Sequence, residues 1–138
     1  MTGLEAMRAI QSRELPAPPI AELVGFELAE VGEGYASFVL DPAERHYNPL
    51  GTVHGGIAAT LLDSAMGCAV HTTLGEDERY TTLELKVNFV RAITEATGRI
   101  AASGNVIHRG GRIATAEARL SDEDGRLLAH GTSTCLII

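Results

Sequence analysis

The chain reads as an α+β domain, one long helix wrapped by a curved antiparallel sheet, and three observations predict it. One stretch alone carries sustained helical periodicity: from Gly55 to about Thr73, Ile57, Leu61, Leu62, Ala65, Met66, Ala69 and Val70 recur at three- and four-residue spacing. Segments of strand character flank it. The cleanest is Tyr80 to Val90, where Leu83, Leu85, Val87 and Phe89 alternate with Thr82, Glu84, Lys86 and Asn88. Finally, a helix that is apolar over most of its girth and a sheet with an apolar face each need a partner, and each satisfies the other.

Taken in order, residues 3–13 have the spacing of a short amphipathic helix, ended by the Pro16, Pro18, Pro19 cluster, which reads as an extended connector. Leu23 to Glu30 and Tyr35 to Leu40 are expected to pair as a hairpin, with Gly32 and Gly34 supplying the turn. Asp41-Pro42 breaks the second strand and opens a loop carrying His46, Tyr47 and Asn48. After Gly75, strands are predicted at Tyr80 to Val90, Ala96 to His108, Arg112 to Ser121 and Leu127 to Ile138. Arg109-Gly110-Gly111 and Asp122-Glu123-Asp124-Gly125 are turn sequences between them. The expected order is two strands, one enclosed helix and a four-stranded antiparallel meander. Residues 1–19 make a helix and connector, and residues 20–138 a single domain.

With 138 residues the chain can build one domain with its own core and is too short for two ordinary ones. Its 45% apolar content excludes a disordered chain. A net charge of −7, only 4% aromatic residues and no tryptophan argue against a nucleic-acid partner. Gly55 to Val70 is too short and, with Asp63, too polar to span a bilayer, so no membrane partner is expected. Met1 to Arg13 mixes acids and bases and lacks the apolar stretch of a signal peptide. Cys68 and Cys135 read as reduced thiols of a cytoplasmic protein. His46, His71, His108 and His130 fall at no metal-ligand spacing with each other or with the cysteines, and no metal is expected.

Chemistry concentrates in Asn48-Pro-Leu-Gly-Thr-Val-His54-Gly55-Gly56 and in the single acid that follows, Asp63. Two glycines at a helix start leave bare N–H groups at its positive end, suited to polarising a carbonyl that is becoming an oxyanion. Thr60, Asp63, Ser64, Gly67 and His71 form a narrow polar or small stripe on an otherwise apolar helix. Burying a carboxylate there without a partner is costly, which points to a chemical use. The pair suits hydrolysis of an activated acyl group.

HYNPLGTVHGGIAATLLDSAMG, TTLELKVNFVRAIT and GRLLAHGTSTCLI resemble the hotdog-fold acyl-CoA thioesterases of the phenylacetate-degradation type. The resemblance runs from about residue 20 to the end, and Asn48, Gly51, His54, Gly55, Gly56 and Asp63 carry it in identity and spacing. It implies homodimers with one continuous sheet, frequently paired into homotetramers. It also implies two active sites at each dimer interface, fed by both subunits. The expected reaction is hydrolysis of the thioester of acyl-CoA, or of an acyl-carrier protein. No metal or redox cofactor is expected, coenzyme A being part of the substrate.

By this resemblance Asp63 activates water as general base or attacks the thioester carbonyl as nucleophile. The Gly55 N–H holds the thioester oxygen, with Gly56 beside it against the substrate. Asn48 donates its amide to the same carbonyl or orients water, against the plain alternative that Asn-Pro starts a turn. His54 positions Asn48 or the carbonyl through a ring nitrogen. Thr82 matches a hydroxyl residue that helps Asp63 hold the attacking water, supplied by the opposite subunit. Arg91, Arg109 and Arg112 are candidates for the 3′-phosphate and pyrophosphate of coenzyme A, since guanidinium groups grip phosphate bidentately. Tyr47, Leu50, Met66 and Val70 lie near the motif and are expected to shape the acyl pocket.

Two other functions share parts of this pattern. A hotdog dehydratase or hydratase pairs a histidine with the helix acid, whereas His54 stands just ahead of the helix. A non-catalytic acyl-CoA-binding module would have no need of an acid at position 63.

Overall fold

Helix α3, Gly55–His71, is the element around which the others are arranged. The computed structural model describes all 138 residues. In it α3 buries Ala58, Leu61, Leu62, Ala65, Met66, Gly67, Ala69 and Val70, leaving only a narrow stripe open. A six-stranded antiparallel sheet curls around it: β1 (Glu27–Gly32), β2 (Tyr35–Leu40), β3 (Tyr80–Phe89), β4 (Ile100–Arg109), β5 (Ile113–Asp122) and β6 (Leu127–Ile137). Leu61, Leu62, Met66 and Val70 of the helix meet Leu40, Ile100, Leu120 and Leu128 of the sheet in one continuous core.

The strand order is β1-β2-β4-β5-β6-β3, so the expected meander is interrupted. β3 lies on the far edge beside β6, and β4 returns to pair with β2. Alternation reports which face a residue takes and is silent on neighbours. The link is also longer than expected, because β4 begins at Ile100 rather than Ala96. Residues 90–99 can cross the end of the sheet, where a tight hairpin would use roughly two to five residues.

Small residues on the inner face let the helix approach. Ala102 and Gly104 of β4, Ala114, Ala116 and Ala118 of β5, and Gly131 of β6 are all buried. A Cβ on Gly104 would stand 2.5 Å from the carbonyl carbon of Ala65 and closer still to its oxygen. Because both sides of that contact are backbone, neither can swing aside. Gly104→Ala is expected to lower the unfolding free energy by about 3 kcal/mol, read from the denaturant midpoint. A loss under about 0.5 kcal/mol would mean that α3 can shift without cost.

Helix α1, Gly3–Gln11, is capped by Thr2 and Glu5 and buries Met7 and Ala9. Its Gly3 N–H donates to the Leu74 carbonyl at 2.9 Å, tying the N-terminus to the end of α3. The proline cluster is only partly a connector. Pro19 opens a short helix, α2 (Pro19–Val24), which ends at Gly25 in the left-handed conformation with φ 94°. A proline in the first turn suits a helix, since its missing N–H would have no intrahelical partner. The strand expected from Leu23 therefore starts at Glu27.

A bulge in β3 corrects a second expectation. Thr82 pairs with Cys135 and Glu84 with Thr134, leaving Leu83 as an extra residue. Thr82 thereby takes the inward place that simple alternation assigns to Leu83, and Leu83 is exposed. No helix is long and apolar enough to cross a membrane.

Candidate active site

The loop before α3 is held by hydrogen bonds that fix the helix tip. His46 is buried; its Nδ1 accepts the Ala43 N–H at 3.0 Å, so its proton sits on Nε2, 2.8 Å from the Val24 carbonyl. His54 N–H donates to the His46 carbonyl and Val53 N–H to the Ile93 carbonyl, each at 2.8 Å. The Tyr47 hydroxyl accepts the Glu95 N–H, also at 2.8 Å. Asn48 organises the turn itself: Oδ1 accepts the N–H groups of Leu50 and Thr52, and Nδ2 donates to the Thr52 hydroxyl. The turn-starting role thus occupies most of this side chain, leaving one amide hydrogen without a partner in the chain.

At the tip, His54 is the N-cap residue of α3, and its Nδ1 accepts the Gly56 N–H at 2.8 Å. The neutral ring then carries its proton on Nε2. The Gly56 N–H, expected against the substrate, is therefore occupied by the cap. The Gly55 N–H makes no hydrogen bond within the chain, and it lies at the positive end of a 17-residue helix. Phe89 packs over it: a Cβ on Gly55 would stand 3.1 Å from Cζ of that ring.

Further along, Asp63 is half-buried, less enclosed than the apolar character of its neighbours suggests. Thr82 donates its hydroxyl to Asp63 Oδ1 at 3.0 Å, and this threonine comes from the same chain, not the opposite subunit. β3 runs beside α3, and the bulge at Leu83 turns Thr82 inward. Burial first, and the Asp63 charge second, push the Cys68 thiol up to about 12. The Tyr80 phenol is likewise raised, first by burial and then by Cys68, Asp63 and Cys135.

One chain does not bring Gly55 and Asp63 together. They are separated by more than two helical turns, about 12 Å along the axis. Arg91 is exposed beside a cavity of ≈ 260 Å³ lined by Val53, Gly55, Ala58, Phe89 and Leu128. Arg109 donates to Glu78 at 2.6 Å and to the Gly110 carbonyl at 2.7 Å, so its guanidinium is already engaged. Arg112 is exposed at the neighbouring turn, at the Tyr80 end of the sheet, on the order of 25 Å from Arg91 along β3. Met66 and Val70 are enclosed in the core, on the face of α3 turned to the sheet, and do not line the cavity beside Gly55. A larger hollow of ≈ 680 Å³ under α1 and α2 touches none of the predicted site residues. No three His, Cys, Asp or Glu side chains gather as a metal-ligand group.

Sequence reasoning missed His46 as the buried anchor of the loop, and Cys135 and Ser133 behind Thr82. Nothing local marks the two β6 residues; only the pairing of β3 with β6 places them there.

One helix enclosed by a curved six-stranded antiparallel sheet is the hotdog architecture. A thioesterase superfamily model matches residues 50–129, and the chain belongs to that family. It is 28% identical over 118 residues to the 1,4-dihydroxy-2-naphthoyl-CoA hydrolase of Listeria monocytogenes, covering 86% of this chain and 94% of that protein. The solved structure of conserved protein PA5202 from Pseudomonas aeruginosa superposes with a TM-score of 0.84 at 33% identity, covering 92% and 99% of the two chains. A phenylacetic acid degradation-related protein from Ralstonia eutropha superposes with a TM-score of 0.84 at 26% identity, covering 94% and 98%.

Proposed function

We propose that the chain hydrolyses acyl-CoA thioesters, carrying an aromatic or a short to medium acyl group, at sites shared by two copies of itself. The observation that carries this reading is the separation within α3. A carbonyl held at the Gly55 N–H is out of reach of Asp63 on the same helix, so the acid must come from a second copy. β3 supports that partner: it is one of the two outer strands of the sheet, and Leu83 and Phe89 on it and Val90 just past its end are exposed at 56%, 61% and 54%. An open strand edge with exposed apolar residues is a template for pairing. Pairing β3 with its copy gives a homodimer with one continuous sheet, and pairs of dimers give the tetramer.

In the proposed reaction Asp63 is the general base. Thr82 holds Oδ1, and Oδ2 takes a proton from water as the water oxygen attacks the thioester carbon. The carbonyl π electrons move to oxygen, where the partner copy's Gly55 N–H stabilises the negative charge. Collapse re-forms the carbonyl and breaks the C–S bond. The coenzyme A thiolate leaves and takes the proton back from Asp63, giving free acid and thiol. These steps use no metal or redox group. Arg91, beside the cavity at Gly55, is the arginine best placed for the coenzyme A phosphates. The two free thiols fit a reduced, cytoplasmic setting. His54 argues against a hydratase: its acceptor nitrogen already caps Gly56.

Thiol release from phenylacetyl-, hydroxybenzoyl-, butyryl- and octanoyl-CoA tests the activity, and no release from any of them would favour a binding module. Subunit mixing tests the shared site. Co-expressed Asp63→Asn and Gly55→Pro chains, each inactive alone, are expected to recover about a quarter of wild-type activity, because each mixed dimer holds one intact site. No recovery from mixed dimers would place both groups in one chain.

A further inference from the structure

Behind the proposed base a line of short side chains runs into the sheet. Thr82 Oγ1 lies 3.0 Å from Asp63 Oδ1 and 3.9 Å from Cys135 Sγ, and Cys135 Sγ lies 3.7 Å from Ser133 Oγ. Cys135 and Ser133 are buried on the inner face of β6. The Ser133 hydroxyl has no partner but this sulfur. Helix-facing neighbours on β5, Ala114 opposite Cys135 and Ala116 opposite Ser133, have no polar side-chain atoms. A hydroxyl buried with a sulfur as its sole partner is an uncommon use of a core position, where an alanine would fill similar space at less cost.

Proton counting fixes the direction of the line. An ionised Asp63 only accepts, so the single Thr82 hydroxyl hydrogen points to Oδ1. Thr82 can then only accept from Cys135, which uses the single S–H. Cys135 in turn accepts at sulfur from the Ser133 O–H. All three donors thus point toward the carboxylate, and each polarises the next. The other titratable groups near Asp63, Cys68 on α3 and Tyr80 on β3, are absent from this line.

Building on the thioesterase reading above, we propose that Cys135, backed by Ser133, is a positioning residue that locks the Thr82 hydroxyl onto Asp63 Oδ1 and so leaves Oδ2 as the reactive oxygen. Cys135 touches no substrate and acts only through Thr82. That dependence makes a double-mutant cycle decisive. On the acyl-CoA of the panel above that is turned over best, Cys135→Ala is expected to lower kcat about five-fold with KM unchanged, the size of one neutral hydrogen bond. In a Thr82→Val background the same substitution is expected to change nothing further. The Asp63 side-chain carboxyl 13C resonance, assigned by its loss in Asp63→Asn, gives a readout that needs no turnover. It is expected to move in Cys135→Ala and Thr82→Val in the same direction, and by less in Ser133→Ala, which also serves should Cys135→Ala fold poorly. Additive losses in the cycle, a change in KM alone, or an unmoved Asp63 resonance would overturn the relay. Inactivity of the wild type would count against the thioesterase reading, while the resonance comparison would still decide the relay.

Discussion

Asp63→Asn is expected to lower kcat for acyl-CoA hydrolysis by about a thousand-fold, the usual contribution of a positioned general base, with KM little changed. The amide keeps an oxygen that accepts the Thr82 hydroxyl, so the side chain stays in place and only the basic oxygen is lost. Folding should be unaffected, since the substitution removes a half-buried charge and leaves no donor or acceptor stranded. Thiol release under single-turnover conditions separates this from slow product release. Hydrolysis in 18O-water tests the nucleophilic role: an anhydride opened by water at the Asp63 carboxyl carbon places 18O in that side chain, whereas a general base leaves Asp63 unlabelled. Retention of more than a tenth of wild-type kcat would remove Asp63 from the reaction.

Gly55→Pro is the second large effect, and it isolates one hydrogen atom. Proline deletes the N–H that is otherwise unpaired at the helix tip, and removing one oxyanion donor typically costs about a hundred- to a thousand-fold in kcat. The first helical position tolerates proline, and His54 before it already has φ −58° and ψ 136°, the extended geometry that a following proline requires. Gly55→Ala is the control. It keeps the N–H and adds a Cβ 3.1 Å from the Phe89 ring, which has to give by only a few tenths of an ångström. Alanine is expected to stay within about ten-fold of wild type. Equal losses in the two variants would assign the effect to crowding by Phe89 instead of to the missing donor.

Much of the frame was legible because periodicity is a local record of which face is buried. α3 lies at Gly55–His71 as its three- and four-residue repeat requires, and β5 and β6 begin and end within a residue or so of their predicted bounds. Signals at chain breaks were harder to read. Pro19 looked like a breaker and is a helix start, because proline excludes a helix interior while suiting its first turn. The Leu83 bulge was invisible, since an inserted residue changes the phase of a strand without changing its composition.

The candidate site divides in the same way. Gly55 at a helix tip and Asp63 on a polar stripe follow from the sequence alone, because a helix has fixed geometry and its N-terminus always presents unpaired donors. Which N–H is unpaired was decided by His54, whose ring closes on Gly56. That Thr82 of the same chain reaches Asp63, with Cys135 and Ser133 behind it, was decided by strand order and by the bulge. Such contacts join residues far apart in the chain, and their energies depend on how the sheet closes round the helix, which no local pattern of residues encodes.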